Sequence, residues 1–438
     1  MNPSDPSFSA LPPAQRVALL LDDSTFEAGP PAGSLLWGAG WIDAHRVYVA
    51  ATDPQVARGA IGVEEARGLS EMLIRARSDD SPVVLLLDSS GARVDEGLRA
   101  LGAFRGLFRE ALLTRLAGVP MLALLGRACF GGASMLACLC ARRHYLASTR
   151  LATSGPAVIE AVVGKAHFDA GNKEQVMALM CGTERARIDP GGVVIEDSEH
   201  AAGASLRGWL AEAAAGSMVW QPHVSHDLLA ARVREAELLA PTGVMSSAVK
   251  PRLDALLPAG YAPSLEGEVF SAVPPVGSRR KPLFLGTLSG SPVGAATCWQ
   301  LADKLLKLDE YASNPVVLIL DADGHAASIV DERMLLSAYI VHLSLAIALV
   351  SARAHTTALW IMGKASGASY VAFASAVDRV SVFPSARIEI LPALAARQIV
   401  GGVSPEAAVP DSLLHAGVAD SVLDTCLSAY QEIELTNR

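Results

Sequence analysis

The stretch that decides the fold is SPVVLLLDSSG, residues 81–91, because a near copy of it occurs later in the chain. Residues 314–324 read NPVVLILDADG and are identical to it at seven of eleven positions. Each copy begins with a polar residue and Pro, continues as an apolar run of strand length, and closes on Asp, small or acidic residues and Gly. This pattern is typical of a strand buried on both faces of a parallel sheet. The repeat predicts two copies of one α/β domain.

A second pair of segments follows the first at a similar distance in both halves. GRACFGGASMLACLCARRHYLASTRL begins at Gly126, 45 residues after Ser81, and GKASGASYVAFASAVDRVSVFPSARI begins at Gly363, 49 residues after Asn314. Both predict a strand, a glycine turn, a helix of small residues and a short strand. Their sequence identity is low, so the order of elements carries the prediction of a tandem repeat.

The chain between the two repeats is rich in Pro, Gly and Ser and lacks sustained periodicity. It predicts a linker at residues 241–264, with at most one short helix, between a first domain at 1–240 and a second at 265–438. The alternative is one large domain with a long surface loop at this place.

The composition is that of a core-rich globular protein, with 438 residues, 51% hydrophobic and 18% charged. A net charge of −9 argues against a nucleic-acid surface, which needs clustered Lys and Arg. The first residues, MNPSDPSFSALPP, have neither a basic start nor an apolar core, so we expect no secretory signal. The cysteines form no CxxC pair, which favours a reduced, cytoplasmic protein without a structural metal site. They are Cys129, Cys138, Cys140, Cys181, Cys298 and Cys426.

The apolar run at residues 334–352, MLLSAYIVHLSLAIALVSA, approaches the length of a membrane span. It contains His342 and several Ser, and charged residues flank it on both sides. We therefore predict a buried core helix and no membrane association.

The pair Gly131-Gly132 lies where the second strand of the first half turns into a helix. Glycines let the backbone approach a ligand closely, and a helix N-terminus directs free N–H groups and partial positive charge at that point. The alternative is that the pair only permits tight packing. A second glycine turn, Gly91-Ala92, follows the preceding strand, and such loops converge at the carboxyl ends of parallel strands. Backbone donors from two such loops would form an oxyanion hole.

Three segments, LDSSGARVDEG, GRACFGGAS and LATSGPAVIEAVVG (151–164), together resemble the acyl-thioester site of the acyl-CoA carboxyltransferases, members of the crotonase superfamily. Within that family the chain looks most like the biotin-independent malonate decarboxylases. Residues 7–235 resemble their beta subunit and residues 265–425 their gamma subunit. The resemblance implies two tandem crotonase-like domains built from ββα superhelix units.

The resemblance also implies a reaction. In those enzymes a malonyl thioester on an acyl carrier protein loses carbon dioxide to give an acetyl thioester, through an enolate stabilised by backbone N–H groups. The implied donors are Gly131 and Gly132, with Gly91 and Ala92 on the second loop. No cofactor is expected. The implied wall against the acyl group is the segment that contains Ser154, Gly155, Pro156 and Ile159. Arg93 and Phe130 are the other expected substrate-binding residues.

Several of these residues have structural alternatives. Arg93 lies beside Asp95 and Glu96, so it could be an ion-pair residue, and the Ser154 segment could serve packing alone. The proton donor could be His167, Glu160 or water. Cys129 has no basic neighbour in sequence to activate it, which favours packing over nucleophilic catalysis.

The second half has one glycine, Gly367, followed by Ala368, where the first half has Gly-Gly. In biotin-dependent relatives this loop stabilises the ureido oxygen of biotin. A biotin-dependent carboxyltransferase is therefore the alternative function, and it is the only one of the considered functions that requires biotin. A catalytically inactive scaffold is the third possible function. His325-Ala326-Ala327 replaces a glycine-rich stretch of those relatives, which favours a structural second domain.

The expected partners are an acyl carrier protein or a coenzyme A thioester, and a second copy of the chain in a homodimer. In that family a first domain faces a second domain across the dimer. CARRHYLASTR (140–150) and TERAR (183–187) are candidate basic docking patches for the carrier, and solvated surface is the alternative.

Overall fold

The structure is a computed structural model that describes residues 7–216, 218–239, 249–275, 281–308, 314–353, 356–391 and 410–425. Its strands are β1 (Glu27–Ala28), β2 (Leu36–Ile42), β3 (His45–Ala51), β4 (Val83–Ser89), β5 (Met121–Phe130), β6 (Arg142–Leu146), β7 (Arg150–Ala152), β8 (Gly192–Ile195), β9 (Ala262–Glu266), β10 (Val269–Val273), β11 (Leu283–Gly290), β12 (Val316–Ala322), β13 (Thr357–Ile361), β14 (Lys364–Ser366), β15 (Arg379–Val382), β16 (Arg387–Glu389) and β17 (Ser421–Val422).

The α-helices alternate with these strands. They are α1 (Pro13–Leu20), α2 (Val63–Ser78), α3 (Leu98–Leu116), α4 (Gly132–Leu139), α5 (Pro156–Val163), α6 (Lys173–Met180), α7 (Gly182–Ile188), α8 (Glu199–Ala214), α9 (Pro222–Glu235), α10 (Lys250–Leu256), α11 (Ala295–Leu306), α12 (Ile329–Arg333), α13 (Leu336–Ala352), α14 (Gly367–Ala374) and α15 (Pro410–His415). Short 3-10 helices lie at Phe8–Ala10, Ala57–Gly59 and Val94–Glu96.

The chain forms two compact units. The first comprises Met1–Glu96, Gly106–Trp220 and Ala327–Ala338, and the second Gly97–Arg105, Gln221–Ala326 and Tyr339–Arg438. Gly97–Arg105 thus belongs to the second unit and Ala327–Ala338 to the first. The predicted domains, 1–240 and 265–438, were contiguous and did not include this exchange. Within the predicted linker, α10 buries Leu253 and Leu256 in the core of the second unit.

Each unit contains a seven-stranded path with the same order of pairings. In the first unit the order is β1-β2-β3-β4-β5-β6-β8, and in the second it is β9-β10-β11-β12-β13-β15-β17. The first two pairings are antiparallel and the remaining four parallel in both. The predicted α/β fold of two tandem repeats is confirmed.

The repeated sequence stretches form the central strands of the two sheets. Every residue of β4 and of β12 is buried, as the continuous apolar runs predicted. In the first unit, α1, α8 and the sheet enclose Val17, Val49 and Trp209. In the second, Phe270, Phe284 and Trp360 are the large side chains of the core.

The apolar run at 334–352 forms α13, and its residues are almost all buried, including Leu336, Tyr339, Leu343 and Ile347. The predicted buried core helix is confirmed. In the part of the chain that the structure describes, no helix combines the length and apolar character needed to cross a membrane.

Candidate functional site

The two glycine loops of the first unit meet at the carboxyl ends of β4 and β5. A Cβ at Gly131 would lie 3.6 Å from the Cα of Gly91, and a Cβ at Gly91 would lie 3.1 Å from the carbonyl oxygen of Phe130. Gly91 and Gly131 have φ of 106° and 55°, which L side chains rarely adopt. The backbone conformation therefore requires glycine at both positions, and at Gly91 the close approach of the Phe130 carbonyl requires it as well, as expected for converging loops.

Hydrogen bonds reduce the set of predicted oxyanion donors. The Gly131 N–H donates to the carbonyls of Ala152 and Thr153 at 3.3 and 3.2 Å, and the Gly91 N–H donates to Ser89 Oγ at 3.1 Å. In this conformation the N–H groups of Gly131 and Gly91 therefore already have acceptors within the protein, and their role as donors to a substrate stays a prediction.

The two remaining predicted donors are Gly132 and Ala92. Neither N–H donates a hydrogen bond to any residue that the structure describes. Gly132 is the first residue of α4, where an N–H has no acceptor within the helix and the helix dipole is positive. Gly91, next to Ala92, accepts a bond from the Ile61 N–H at 2.8 Å, which holds the second loop in place. The first-unit glycine turn, Phe130–Gly132, and the Gly91-Ala92 loop thus bring two N–H groups without acceptors to one edge of the sheet.

A buried carboxylate supports this arrangement from behind. Asp88, at the end of β4, accepts bonds from the N–H groups of Arg127 and Ala128, each at 3.2 Å, and the Arg127 guanidinium lies 3.6 Å away. A Cβ at Gly126 would lie 2.6 Å from the Asp88 Cβ, so the strand can pass the carboxylate only as glycine. Asp88 fixes the approach to the first-unit glycine turn and does not face a ligand.

Arg93 does not fit the predicted substrate-binding role. Its guanidinium donates to Glu65 at 2.6 Å, to Glu96 at 3.3 Å and to the Ala60 carbonyl at 3.3 Å. Glu65 is buried, and its hydrogen bonds with Ser34 and the Arg93 charge outweigh desolvation and lower its pKa. Arg93 is therefore the ion-pair residue of the structural alternative.

The predicted acyl wall divides into two groups. Gly155 and Pro156, the N-cap and first residue of α5, are partly exposed, and so is Phe130, whose ring faces the Arg150 guanidinium at 5.9 Å. Ile159 is fully buried in a small apolar cluster with Ala152, Phe168 and Met180, so it packs and does not line the site. Ser154 is buried as well.

The predicted proton donors and Cys129 occupy different environments. His167 is exposed, whereas Glu160 accepts a bond from the Ala170 N–H at 2.7 Å and so stabilises the loop after α5. Cys129 is fully buried, and burial raises the pKa of its thiol well above the ordinary value, which keeps it protonated. The packing alternative for Cys129 fits the structure.

The predicted basic docking patches contain both buried and surface arginines. Arg143 is buried and forms an ion pair with Asp189, and Arg185 is buried against the Leu151 and Glu332 carbonyls. On the surface, Arg142 pairs with Glu212 at 3.2 Å. Arg187 is exposed and pairs with Glu184 at 2.9 Å, so two of the surface arginines are neutralised by glutamates, and carrier docking at these segments stays a prediction.

Sequence reasoning missed Glu332. Its side chain is fully buried in the first unit and accepts bonds from the N–H groups of Thr153 and Ser154, at 3.1 and 2.6 Å. Burial raises the pKa of Glu332 to about 7, against the opposing effects of Arg185 and the two N–H donors. Asp331-Glu332-Arg333 form the charged flank before the apolar run at 334–352. Two acids directly beside so apolar a helix were the available signal, although the sequence does not show which loop Glu332 meets.

The second unit has a corresponding turn, Ser366–Ala368, here called the second-unit glycine turn. Gly367 begins α14 with a φ of 50°, and Ala368 is buried. A Cβ at Gly367 would lie 3.8 Å from His325 Nδ1, so the imidazole occupies the space beside the turn. His325 is buried, and desolvation lowers its pKa to about 4, so the ring is neutral.

Comparison with known proteins agrees with this description of the first unit. Residues 9–183 match the carboxyl transferase domain family. The propionyl-CoA carboxylase carboxyltransferase subunit of Haloferax mediterranei is 30% identical over 170 residues, which are 34% of this chain and 33% of that protein. The methylmalonyl-CoA decarboxylase subunit alpha of Veillonella parvula is 27% identical over 202 residues, which are 37% of this chain and 39% of that protein.

The chain spans about a third of the length of these curated relatives. Among solved structures, a Pseudomonas malonate decarboxylase hetero-tetramer in complex with malonate has a TM-score of 0.45 and 23% identity, covering 48% of this chain and 85% of that one. Residues 9–183, which hold both glycine loops, therefore match the carboxyl transferase domain family, and the curated relatives of this region include a carboxyltransferase subunit and a decarboxylase subunit. The finer resemblance to malonate decarboxylases remains a prediction.

Proposed function

We propose that the first unit decarboxylates a malonyl thioester, giving an acetyl thioester and carbon dioxide, through an enolate stabilised by the Gly132 and Ala92 N–H groups. The observation that carries the proposal is the pair of N–H groups, on two neighbouring loops, that have no acceptor among the residues the structure describes. Decarboxylation breaks the bond between the α-carbon and the carboxylate carbon. The electron pair moves into the thioester, and the negative charge develops on its oxygen.

A backbone oxyanion hole suits this chemistry because the charge it stabilises is absent from the ground state. Each such donor contributes on the order of 3 kcal/mol of barrier lowering in acyl-transfer enzymes. The two donors follow Gly91 and Gly131, and each of these glycines uses its own N–H in a hydrogen bond within the protein, which holds both loops in place. No reorganisation of the loops is needed as the charge forms.

The enolate carbon must then take up a proton. Glu160 is bonded to the Ala170 N–H, the Cys129 thiol is buried and protonated, and His167 lies on the exposed segment after α5. We propose that water delivers the proton at the open side of the site, where the partly exposed Gly155 and Pro156 lie.

The alternative function is a biotin-dependent acyl-CoA carboxyltransferase. The names of the curated relatives favour it, since they include carboxylase and carboxyltransferase subunits, one of them described as a subunit of a biotin-dependent acetyl-/propionyl-coenzyme A carboxylase. The space beside Gly367 favours decarboxylation, because the His325 ring occupies it in the second unit. Under our proposal, the second unit is structural and Gly367 and Ala368 bind no biotin.

One assay distinguishes these functions. The full chain is incubated with malonyl-CoA and with a malonyl carrier protein, each with and without a biotinylated carrier, and acetyl thioester and carbon dioxide are measured. Turnover without biotin supports decarboxylation, and turnover only with biotin supports the alternative. No turnover in any arm contradicts both and supports the inactive scaffold. Comparing the two substrates also identifies the carrier. The homodimer and the cytoplasmic location remain predictions.

A further inference from the structure

A chain of buried hydrogen bonds in the first unit links a carboxylate to the first-unit glycine turn. Its members are Ser134, Thr153, Ser154, Arg185, Glu332 and Ser337, here called the Glu332 network. All six side chains are at least nine-tenths buried. Buried polar groups of this kind are stable only when their partners are satisfied, so they constrain local geometry closely.

The carboxylate end of the network holds the loop after β7. The two Glu332 oxygens accept separately from Thr153 N–H and Ser154 N–H. Arg185 lies 3.9 Å from one of these oxygens and also donates to the Leu151 carbonyl at 2.8 Å. The two donors belong to the successive peptides on either side of Thr153, so the two carboxylate oxygens together fix the orientation of the Thr153–Ser154 peptide and of the peptide before it.

This peptide is in turn bonded to the first-unit glycine turn. The Thr153 carbonyl accepts from the Gly131 N–H at 3.2 Å. The side chains form a second path, in which the Oγ atoms of Thr153 and Ser337 are 2.7 Å apart, those of Ser337 and Ser134 are 2.7 Å apart, and Ser134 donates to the Gly131 carbonyl at 2.7 Å. Both the N–H and the carbonyl of Gly131 are therefore linked to the segment that Glu332 holds.

We propose that Glu332 is a positioning residue that, when ionised, fixes the Thr153-Ser154 peptide and through it the Gly131-Gly132 donors of the oxyanion hole. The proposal rests on the proposed function of that hole. Glu332 does not contact substrate, since its carboxylate is fully buried.

Protonation would weaken this arrangement. A protonated carboxyl carries a donor on one oxygen, which can then no longer accept well from one of the two N–H groups. The charged groups that act on Glu332 are Arg185 on α7 and Asp331 on its own helix, together with the Thr153 and Ser154 N–H groups. Since burial places the pKa of Glu332 at about 7, the competence of the site should change near neutral pH.

The test compares the full-length wild type, Glu332→Gln and Glu184→Gln between pH 5.5 and 8.5. Glu184 lies on α7 beside Arg185, but it is partly exposed and pairs with Arg187, so its variant removes one nearby carboxylate outside the network. Hydrogen exchange of the Thr153 and Ser154 amides is measured and divided by the intrinsic rate at each pH. In the wild type and Glu184→Gln, we expect the protection factor to rise at least about tenfold from the low to the high pH. In Glu332→Gln it should be low at both.

The rate profile provides the second readout. In the wild type and Glu184→Gln, turnover of the malonyl thioester should fall as the pH drops through about 7, and Glu332→Gln should remove this limb and leave a low, flat rate. A purely structural residue would change stability without removing the limb. An unchanged profile in Glu332→Gln, or wild-type protection that does not depend on pH, would overturn the proposal.

The exchange experiment is independent of activity. If the wild type turns over no malonyl thioester, the proposed function fails, while the wild-type protection data still decide whether Glu332 holds the two amides. If Glu332→Gln does not fold, the wild-type pH dependence and Ser337→Ala take its place. Ser337→Ala breaks only the side-chain path, so it should retain the pH-dependent protection of Ser154, and loss of that dependence would contradict the proposal.

Discussion

The two glycine turns of this chain have the same supporting structure and different surroundings. In each unit an Asp at the end of a central strand, Asp88 or Asp321, accepts from backbone N–H groups of the strand that leads into the turn. In each, a Ser two residues into the following helix donates to the carbonyl of the residue before that helix. The repeat has therefore preserved the geometry that holds a helix N-terminus against the sheet.

What differs is the space in front of the helix. The first-unit glycine turn contains Gly131 and Gly132, whereas the second-unit glycine turn contains Gly367 followed by Ala368. The second turn therefore has one glycine fewer. The residue after the neighbouring loop glycine is Ala92 in the first unit and His325 in the second, and each forms the same parallel bridge, to Ile61 and to Val293. A methyl group leaves the first turn open, and a neutral imidazole occupies the space beside the second.

The largest expected effect comes from blocking the first turn. Gly132→Val keeps the backbone N–H but adds a branched side chain beside it. We expect turnover to fall at least about 100-fold, because keeping the thioester oxygen away from one donor costs about 3 kcal/mol. Gly132 is not among the glycines with positive φ, so the fold should tolerate the change. Thioester turnover and thermal unfolding measure the two effects.

Gly367→Ala is the matched variant in the second unit. Its φ of 50° should cost about 1 kcal/mol of stability, because L residues are disfavoured there, and turnover should not change. The reverse result, with turnover lost in Gly367→Ala and retained in Gly132→Val, would place the chemistry in the second unit and contradict the proposed function.

The second prediction concerns the histidine that distinguishes the turns. The pKa of His325 is lowered to about 4 by burial, while in the unfolded chain it titrates near 6.5. Below pH 6.5 the unfolded chain therefore takes up a proton that the folded chain refuses. The His325 contribution to stability should fall as the pH drops from 6.5 to 4, by about 3 kcal/mol in total.

His325→Ala should remove this term. The stability of the variant relative to the wild type, from urea titrations at pH 7 and pH 4, should therefore be about 3 kcal/mol greater at pH 4 than at pH 7. Replacing the exposed His200 by Ala is the control and should leave the wild-type dependence unchanged. If the stability of the wild type and that of His325→Ala fell equally between pH 7 and pH 4, the His325 ring would take up its proton in the folded protein as well. That result would contradict a buried, neutral ring beside the second-unit glycine turn.

The fold could be predicted from the sequence because its signal is local. The apolar run before Asp88 has the length of a strand and no polar face, and its copy before Asp321 shows that the unit is repeated. The meeting of Gly91 with Gly131 also follows from a general rule, since loops after neighbouring parallel strands converge.

The site was predicted less completely, because hydrogen-bond partners are set by contacts between distant parts of the chain. Which glycine N–H remains without an acceptor depends on the loop at 152–153, and the fate of Arg93 depends on Glu65, 28 residues earlier. Glu332 lies 178 residues from Ser154, and no spacing rule joins them. Sequence patterns predicted where the loops meet, and only the structure showed which donors are satisfied.

The smallest expected effect compares the two serines, Ser134 and Ser369. Each donates to a carbonyl beside its turn, at 2.7 and 2.8 Å, but only Ser134 also contacts the Ser337 hydroxyl. Ser369→Ala should cost about 1 kcal/mol of stability, the value of one hydrogen bond, with no loss of turnover. Ser134→Ala should cost somewhat more, because Ser337 loses a partner in a buried site, and it should lower turnover by a few-fold (~1 kcal/mol of barrier) through a looser Gly131 carbonyl. Urea unfolding and steady-state kinetics on both variants measure the difference. Equal effects on turnover would mean that the hydroxyl bonds only hold helix ends, and the functional asymmetry of the two turns would then lie in their glycines and in His325 alone.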